Sequence, residues 1–486
     1  MSVLGKKRRL VVRSWDSLAT VKGTLAARLH IPTAHQRLFF RGKELKNTYS
    51  LQDAGVCRSG ELLTLSIAPQ QGLSTTAVCI EALNCPRALQ HALWQAKRSF
   101  LLGKAPQLAV DGTGGCYFFP DPRGVTVAVF KPSDEEAFCA CNPRGPAYCT
   151  EGGWMRAGVT PGQSYLREIA AYRLDTAHFA GIPPTGLVQC SHPKLNYQDH
   201  SNKPSLKLGS LQAFVTASAG PAEDFSPSRF SVAEVHKIAI LDMRILNCDR
   251  NAGNLLVVAK AECEQAFSLV PIDHGLSFPE ALSIGFLDWC WLDWPQSKEP
   301  LDEETQSFVL DVMDPEADYH LVLKFGLSLK SAVLVKLSGL LLQMGCRSKL
   351  SLHTIARLIA RDDFDGMDHP SPLELVHAQA TALASEKQLD EKSTGAESGD
   401  AHRATPHLQS PSPERKGFWV HDITKVENQA IEAGVTVWDE NGTRGIQKSS
   451  EQSGTDITDS GFDAAFWGHA ERLLNDLIHT AQSNCK

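Results

Sequence analysis

Two stretches of this chain set acidic and amide side chains against apolar runs that could not hold them in their middles. In LNCDRNAGNLLV, Leu246 to Val257, one aspartate, one arginine and three asparagines come just before the strand-like LLVV. In LVPIDHGLSFPE, Asp273 closes an apolar run and His-Gly follows. Burying such groups unpaired is costly, so the helix before and the strand after must pin a polar loop between them. The interval from Asp249 to Asn254 is the D-x-x-x-x-N of phosphoryl-transfer loops, where the Asp handles an acceptor hydroxyl and the Asn holds a metal ion. Alone it also fits an ordinary polar loop, because Asp and Asn are common turn residues.

Other parts stand in the matching order. Asp111-Gly112-Thr113-Gly114-Gly115 lies between strand patterns, where glycine lets backbone N–H groups approach an anion. Lys131 ends the alternating strand VTVAVFKP, the place of a phosphate-binding lysine, and Glu168 on the helix YLREIAAY is its candidate partner. The apolar run KLGSLQAFV follows a Ser/Lys-rich loop and ends in Phe214 and Val215, which can present backbone to an adenine. Asp273 is the candidate metal-binding Asp of the D-F-G element, with His274 replacing Phe. Each feature is bland singly. Their order is hard to obtain by chance.

The chain has 486 residues, enough for two domains plus irregular segments, and 42% apolar residues to bury them. A net charge of -7 excludes a nucleic-acid binder relying on overall positive charge. The dense basic cluster Lys6-Lys7-Arg8-Arg9 reads as a solvated run before a strand. SAVLVKLSGLLLQM, from Ser331, is too short to span a bilayer and is interrupted by Lys336; it reads as a buried helix. With no secretory signal and no glycine after Met1, an intracellular, cytoplasmic protein is expected. The 13 cysteines lack paired CxxC spacing and are expected to be reduced thiols.

Residues 8–68 read as one module: a strand at LVVRSW, a helix at SLATVKGTLAARLH, two strands joined at Arg41-Gly42, and a closing strand ELLTLSI. IPTAHQRLFFRGKELKNTYSLQDAGV followed by GELLTLSI resembles ubiquitin. The resemblance implies a β-grasp fold, here expected to lack its first strand because only MSVLGKKRR precedes LVVRSW, or else to belong to an incomplete N-terminus. It also implies ubiquitin-system partners through a patch that keeps Phe39 but has Ser66 where Val is expected. Residues 69–104 read as a linker with a helix, 105–385 as the catalytic domain, 386–416 as disordered linker, and 417–486 as an extension ending in the amphipathic helix FDAAFWGHAERLLNDLIHT.

DGTGGCYFF, VAVFKPSDEEAF, NPRG, REIAAYRLD, GSLQAFV, EVHKIAILDMRILNCDRNAGNLLV, PIDHGLSFPE and WLDWPQ, in that order, resemble the gamma group of phosphatidylinositol 4-kinases, related to the type II enzymes. The resemblance implies an α+β, two-lobed protein-kinase-like fold that transfers the γ-phosphate of ATP, with Mg2+, to the 4-hydroxyl of phosphatidylinositol in membranes. Lys131 would bind phosphate and Glu168 would orient it. Gly112, Thr113, Gly114 and Gly115 would cradle the nucleotide and Phe214 with Val215 would meet adenine. Asp249 would be the catalytic base, and Asn254 and Asp273 the metal ligands. The group has His after Asp-Arg where this chain has Asn251; type II relatives lack that His, which keeps the base at Asp249. Trp289, Trp291 and Trp294 are expected mostly to pack the large lobe. Cys139, Cys141 and Cys149 occupy the insert that is acylated in type II relatives. Two other readings stay open: a Ser/Thr protein kinase acting on ubiquitin-system proteins, which lacks A-P-E here, and a non-catalytic adaptor.

Overall fold

Alternation of buried and exposed residues in QRLFF and LTLSI makes two half-buried strands, and these form the centre of the N-terminal sheet in the computed structural model. The structure describes all residues except 1, 4–5, 8, 57, 59, 68–78, 146–157, 198–203, 217, 261–262, 283–286, 362–368, 395–459 and 485–486. They form two compact units, 1–374 with 477–486, and 375–476.

The first module contains β1 (Ser2–Val3), β2 (Lys6–Lys7), α1 (Leu18–Leu29), β3 (Gln36–Phe40), β4 (Lys43–Glu44) and β5 (Leu63–Ile67). Its sheet order is β2-β1-β5-β3-β4. The expectation of a missing first strand is therefore corrected: β1 is short but runs parallel to β5, with Ser2 opposite Thr64. The expected strand at LVVRSW is corrected too. The Arg13 N–H goes to Asp16, and the Ser14 and Asp16 carbonyls accept from Gln52 and Leu51, so this stretch makes a turn rather than a ladder. Arg41 and Gly42 both have positive φ, 50° and 80°, as a tight hairpin requires.

Next come β6 (Cys79–Asn84), α2 (Gln90–Leu101), β7 (Gln107–Leu108), β8 (Tyr117–Pro120), β9 (Thr126–Pro132), α3 (Ser164–Leu174), β10 (Thr185–Ser191) and β11 (Lys207–Ala213). They build a small lobe on a sheet of order β6-β10-β11-β9-β8-β7. The stretch 69–104, read as a linker, thus supplies an edge strand, β6, and a helix whose Ala96 and Phe100 join the core with Phe119 and Phe130. Trp94, on the same helix, is buried in the core of the N-terminal module with Leu18, Leu25 and Leu38.

The large lobe begins at β12 (Ser218–Pro221) and α4 (Val232–Ile245). Then come β13 (Asp249–Arg250), β14 (Leu255–Lys260), β15 (Cys263–Pro271), β16 (Asp288–Trp289), α5 (Glu303–Ser307), α6 (Pro315–Lys324), α7 (Leu329–Arg347) and α8 (Leu352–Ile359). The stretch from Ser331, read as too short to span a bilayer, belongs to a longer helix: among the described residues α7 alone is long and apolar enough to cross a membrane, and 67% of its apolar window is buried inside the protein, as a buried helix requires. Trp289, Trp291 and Trp294 are all buried, at 3%, 0% and 8% exposure. Beyond lie α9 (Pro372–Thr394) and α10 (Ser460–Asn484). Residues 386–394 of the expected disordered linker are helical; its remainder and residues 417–459 lie outside the described residues. In the second unit Phe466 of α10 meets His377 edge-on, with ring centroids 5.9 Å apart.

Candidate active site

Helix α4 starts on the Ser231 hydroxyl, which accepts from the Glu234 N–H, and stops at Leu246, a fully buried left-handed residue whose N–H returns to the Asp242 and Met243 carbonyls. The chain then turns under Asp242. This carboxylate accepts from Arg250 Nε to both oxygens at 3.0 Å, from Asn247 Nδ2 at 3.1 Å and from Trp291 Nε1 at 3.0 Å. Arg250 in turn donates Nη1 to the carbonyls of Asn254, at 2.7 Å, and Ile272, at 2.8 Å. One buried arginine thereby ties the Asp249 loop to the residue before Asp273. Trp289 adds a bond from Nε1 to the Asn247 carbonyl, and β13 pairs with β16.

Asp249 and Asn254 are held together: Asn254 Nδ2 donates to the Asp249 carbonyl at 2.9 Å. Asn251 stands between them, its Oδ1 accepting the Asn254 N–H at 3.2 Å and its Nδ2 3.3 Å from Asp249 Oδ1. Asparagine here caps the short turn Ala252–Asn254, a local role that asparagine performs well. Asp273 sits at φ 54°, a left-handed conformation unusual for a residue with a Cβ, and its carboxylate is 51% exposed.

Lys131 bridges the lobes. Its ammonium pairs with Glu168 and, at 2.9 Å, with Asp273. Burial acts to lower the lysine pKa, but Asp273 and Glu168 outweigh it and push it up. Burial likewise acts to raise the Glu168 carboxyl; Lys131 and His274 overcome this and hold it well below the usual carboxylate range. His274 is fully buried with Nδ1 3.4 Å from Glu168 Oε2, so the residue replacing Phe braces the helix that carries Glu168. Gly275 is required beside it, because a Cβ there would overlap the Ser164 hydroxyl at the start of α3.

The Gly-rich turn departs from expectation. The Gly115 N–H, expected to face an anion, donates to the Glu135 carbonyl at 2.6 Å, and side chains on Gly114 or Gly115 would collide with segment 135–137. Only Gly112, at φ 104°, has open space around its Cβ position, and Thr113 is fixed through its carbonyl by Asn142 Nδ2 at 3.1 Å. Arg144 also donates to the Ala109 and Asp111 carbonyls. The glycines are thus needed for packing of the insert under the turn. Spacing gave no sign of this. At the lobe junction the Phe214 N–H goes to the Val127 carbonyl at 3.1 Å, so what Phe214 can offer an adenine is its carbonyl, with Val215 next to it.

Asp242, Arg250, Asn142 and Arg144 were missed as site residues. The adjacent Asp-Arg signalled Arg250, but its partner lies on another element. In the insert, burial pushes the Cys139 thiol up to about 12, leaving it protonated; Cys141 is half-buried, and Cys149 lies outside the described residues.

The model of the Phosphatidylinositol 3- and 4-kinase family matches residues 112–336, and that of the Ubiquitin family matches residues 4–69. Phosphatidylinositol 4-kinase gamma 4 of Arabidopsis thaliana is 35% identical over 61% of this chain and 54% of its own length. For gamma 3 of the same plant the figures are 32%, 69% and 60%. Gamma 4 of Oryza sativa subsp. japonica is 33% identical over 74% of this chain and 70% of its own length. The chain thus spans between about half and about two thirds of the length of these relatives. With a ubiquitin-like module followed by a two-lobed kinase domain, it belongs to the phosphatidylinositol 4-kinase gamma family.

Proposed function

We propose that this protein transfers the γ-phosphate of ATP to the 4-hydroxyl of phosphatidylinositol. The observation that carries the reading is the linked set Glu168–Lys131–Asp273 across the lobes, joined through the Ile272 N–H and the Asn254 carbonyl, at 3.0 Å, to Asp249. Lys131, kept charged by two carboxylates, binds the nucleotide phosphates. Asp249 takes the proton from the acceptor hydroxyl as the oxygen attacks. Asp273 and Asn254 offer one carboxylate and one amide oxygen, hard donors of the kind Mg2+ accepts beside phosphate oxygens. The turn of Asn254 Nδ2 toward the Asp249 carbonyl leaves its Oδ1 as the donor for such an ion. When bound, Mg2+ would withdraw charge from the phosphates. The acceptor, a membrane lipid, is supported by the names of the relatives.

Radiolabelled ATP with phosphatidylinositol vesicles in one tube and a generic protein acceptor in another separates lipid from protein kinase activity. Asp249→Asn is expected to lower lipid phosphorylation by roughly two to four orders of magnitude. A loss below about fivefold would remove Asp249 from the role of base.

A further inference from the structure

Between the ubiquitin-like module and α2 lies a cavity of about 460 Å3, lined by Arg9, Leu10, Leu25, Arg28, Leu29, His30, His91, Trp94, Gln95 and Arg98. Three arginines and two histidines converge there from two domains, and no carboxylate is among these lining residues. This is a local reversal in a chain whose net charge is -7. Arg98 is 2% exposed at the floor, with its guanidinium 4.3 Å above the Trp94 ring and Nη1 3.2 Å from Gln95 Oε1. The stack on Trp94 and the bond to Gln95 fix the orientation of the fork. Arg9 and Arg28 are exposed at the rim.

We propose that this cavity binds a phosphate monoester carried on a small polyol ring, the chemistry shared by a phosphorylated inositol lipid headgroup and a soluble inositol phosphate. Guanidinium groups suit phosphate because they present paired N–H donors, and the half-buried Leu10 and Leu29 give the cavity an apolar side for the ring that carries it. The volume falls in the usual range of small-molecule sites, about 300–1,000 Å3, and is more than one inorganic phosphate fills. Arg9, Arg28 and Arg98 repel one another when the module is docked, so a bound anion favours the docked arrangement. Because the opposite face of α2 packs through Phe100 on Phe119, and Phe119 on Phe130 beside Lys131, occupancy reaches the catalytic sheet.

The proposal is independent of the catalytic reading, and its test omits ATP. Full-length protein carrying Asp249→Asn is titrated calorimetrically with inositol 1,4,5-trisphosphate. It is also sedimented with phosphatidylcholine vesicles with and without phosphatidylinositol 4-phosphate. Binding is expected to weaken at least tenfold in the double variant Arg9→Glu/Arg28→Glu, whose thermal midpoint without ligand is not lowered, because both side chains are exposed and the change relieves the repulsion around Arg98. Binding to both probes assigns the site to a membrane-borne headgroup, and binding to the soluble probe alone assigns it to a free phosphate ester. Binding to neither, to vesicles alone, or equally by the double variant overturns the proposal.

Discussion

Arg250 is fully buried beside Asp242, equally buried, and neither touches the substrate in the proposed reaction. Their pairing nevertheless decides where Asp249 stands, because the same guanidinium reaches the Asn254 and Ile272 carbonyls. Removing one partner of such a pair strands the other charge in the interior. Arg250→Met is expected to destabilise the large lobe by about 3–5 kcal/mol in denaturant unfolding. It should also lower turnover and raise nucleotide KM, since the same guanidinium holds Ile272 next to Asp273, the partner of Lys131. Wild-type stability in this variant would disprove the anchoring role. Asn251 shows how a residue departing from its family's pattern can serve: it caps the turn that presents Asn254, which a histidine does less well.

At the scale of elements, α3 must stay in place for Glu168 to meet Lys131. Its own N-cap residue, Gln163, provides no side-chain cap; Glu136, from the loop after β9, accepts the N–H groups of Gly162 at 2.7 Å and Tyr165 at 3.3 Å instead. Burial pushes the Glu136 carboxyl up to about 7 from an ordinary 4.5. The folded protein therefore binds a proton there that the unfolded chain has lost between those two values, so this group's contribution to stability falls as pH rises through that window. Glu136→Gln keeps an acceptor oxygen and removes the titration. Urea unfolding from pH 4.5 to 7 should show wild type losing stability relative to Glu136→Gln as pH rises; parallel curves would contradict this.

For the whole first unit, the docking of the ubiquitin-like module on α2 matters most. Trp94 belongs to that module's core although it lies on a small-lobe helix. The module is therefore expected to unfold cooperatively with the kinase domain rather than as a loosely tethered tag. Trp94→Ala should cost about 3–5 kcal/mol, as large core truncations do, and split one thermal transition into two. A single unshifted transition in calorimetry would refute the shared core.

Much of the proposed site was legible because residue type and order are local: the structure brings Lys131, Glu168 and Asp273 together and ties Asn254 to Asp249, and the short hairpin at Arg41-Gly42 announced itself through local backbone demands. The stretches YLREIAAY and SAVLVKLSGLLLQM, read as helices, likewise lie in α3 and α7. What the sequence by itself determined was thus the set of candidate groups and the local elements presenting them. Tertiary structure alone decided which hydrogen-bond donors were already engaged. The Gly115 and Phe214 N–H groups are satisfied by Glu135 and Val127. It also decided that a two-residue strand completes the β-grasp sheet and that Trp94 serves two domains. Side-chain type and spacing are local properties of a chain, whereas the satisfaction of a donor or the covering of an indole depends on segments brought together only when the backbone has folded.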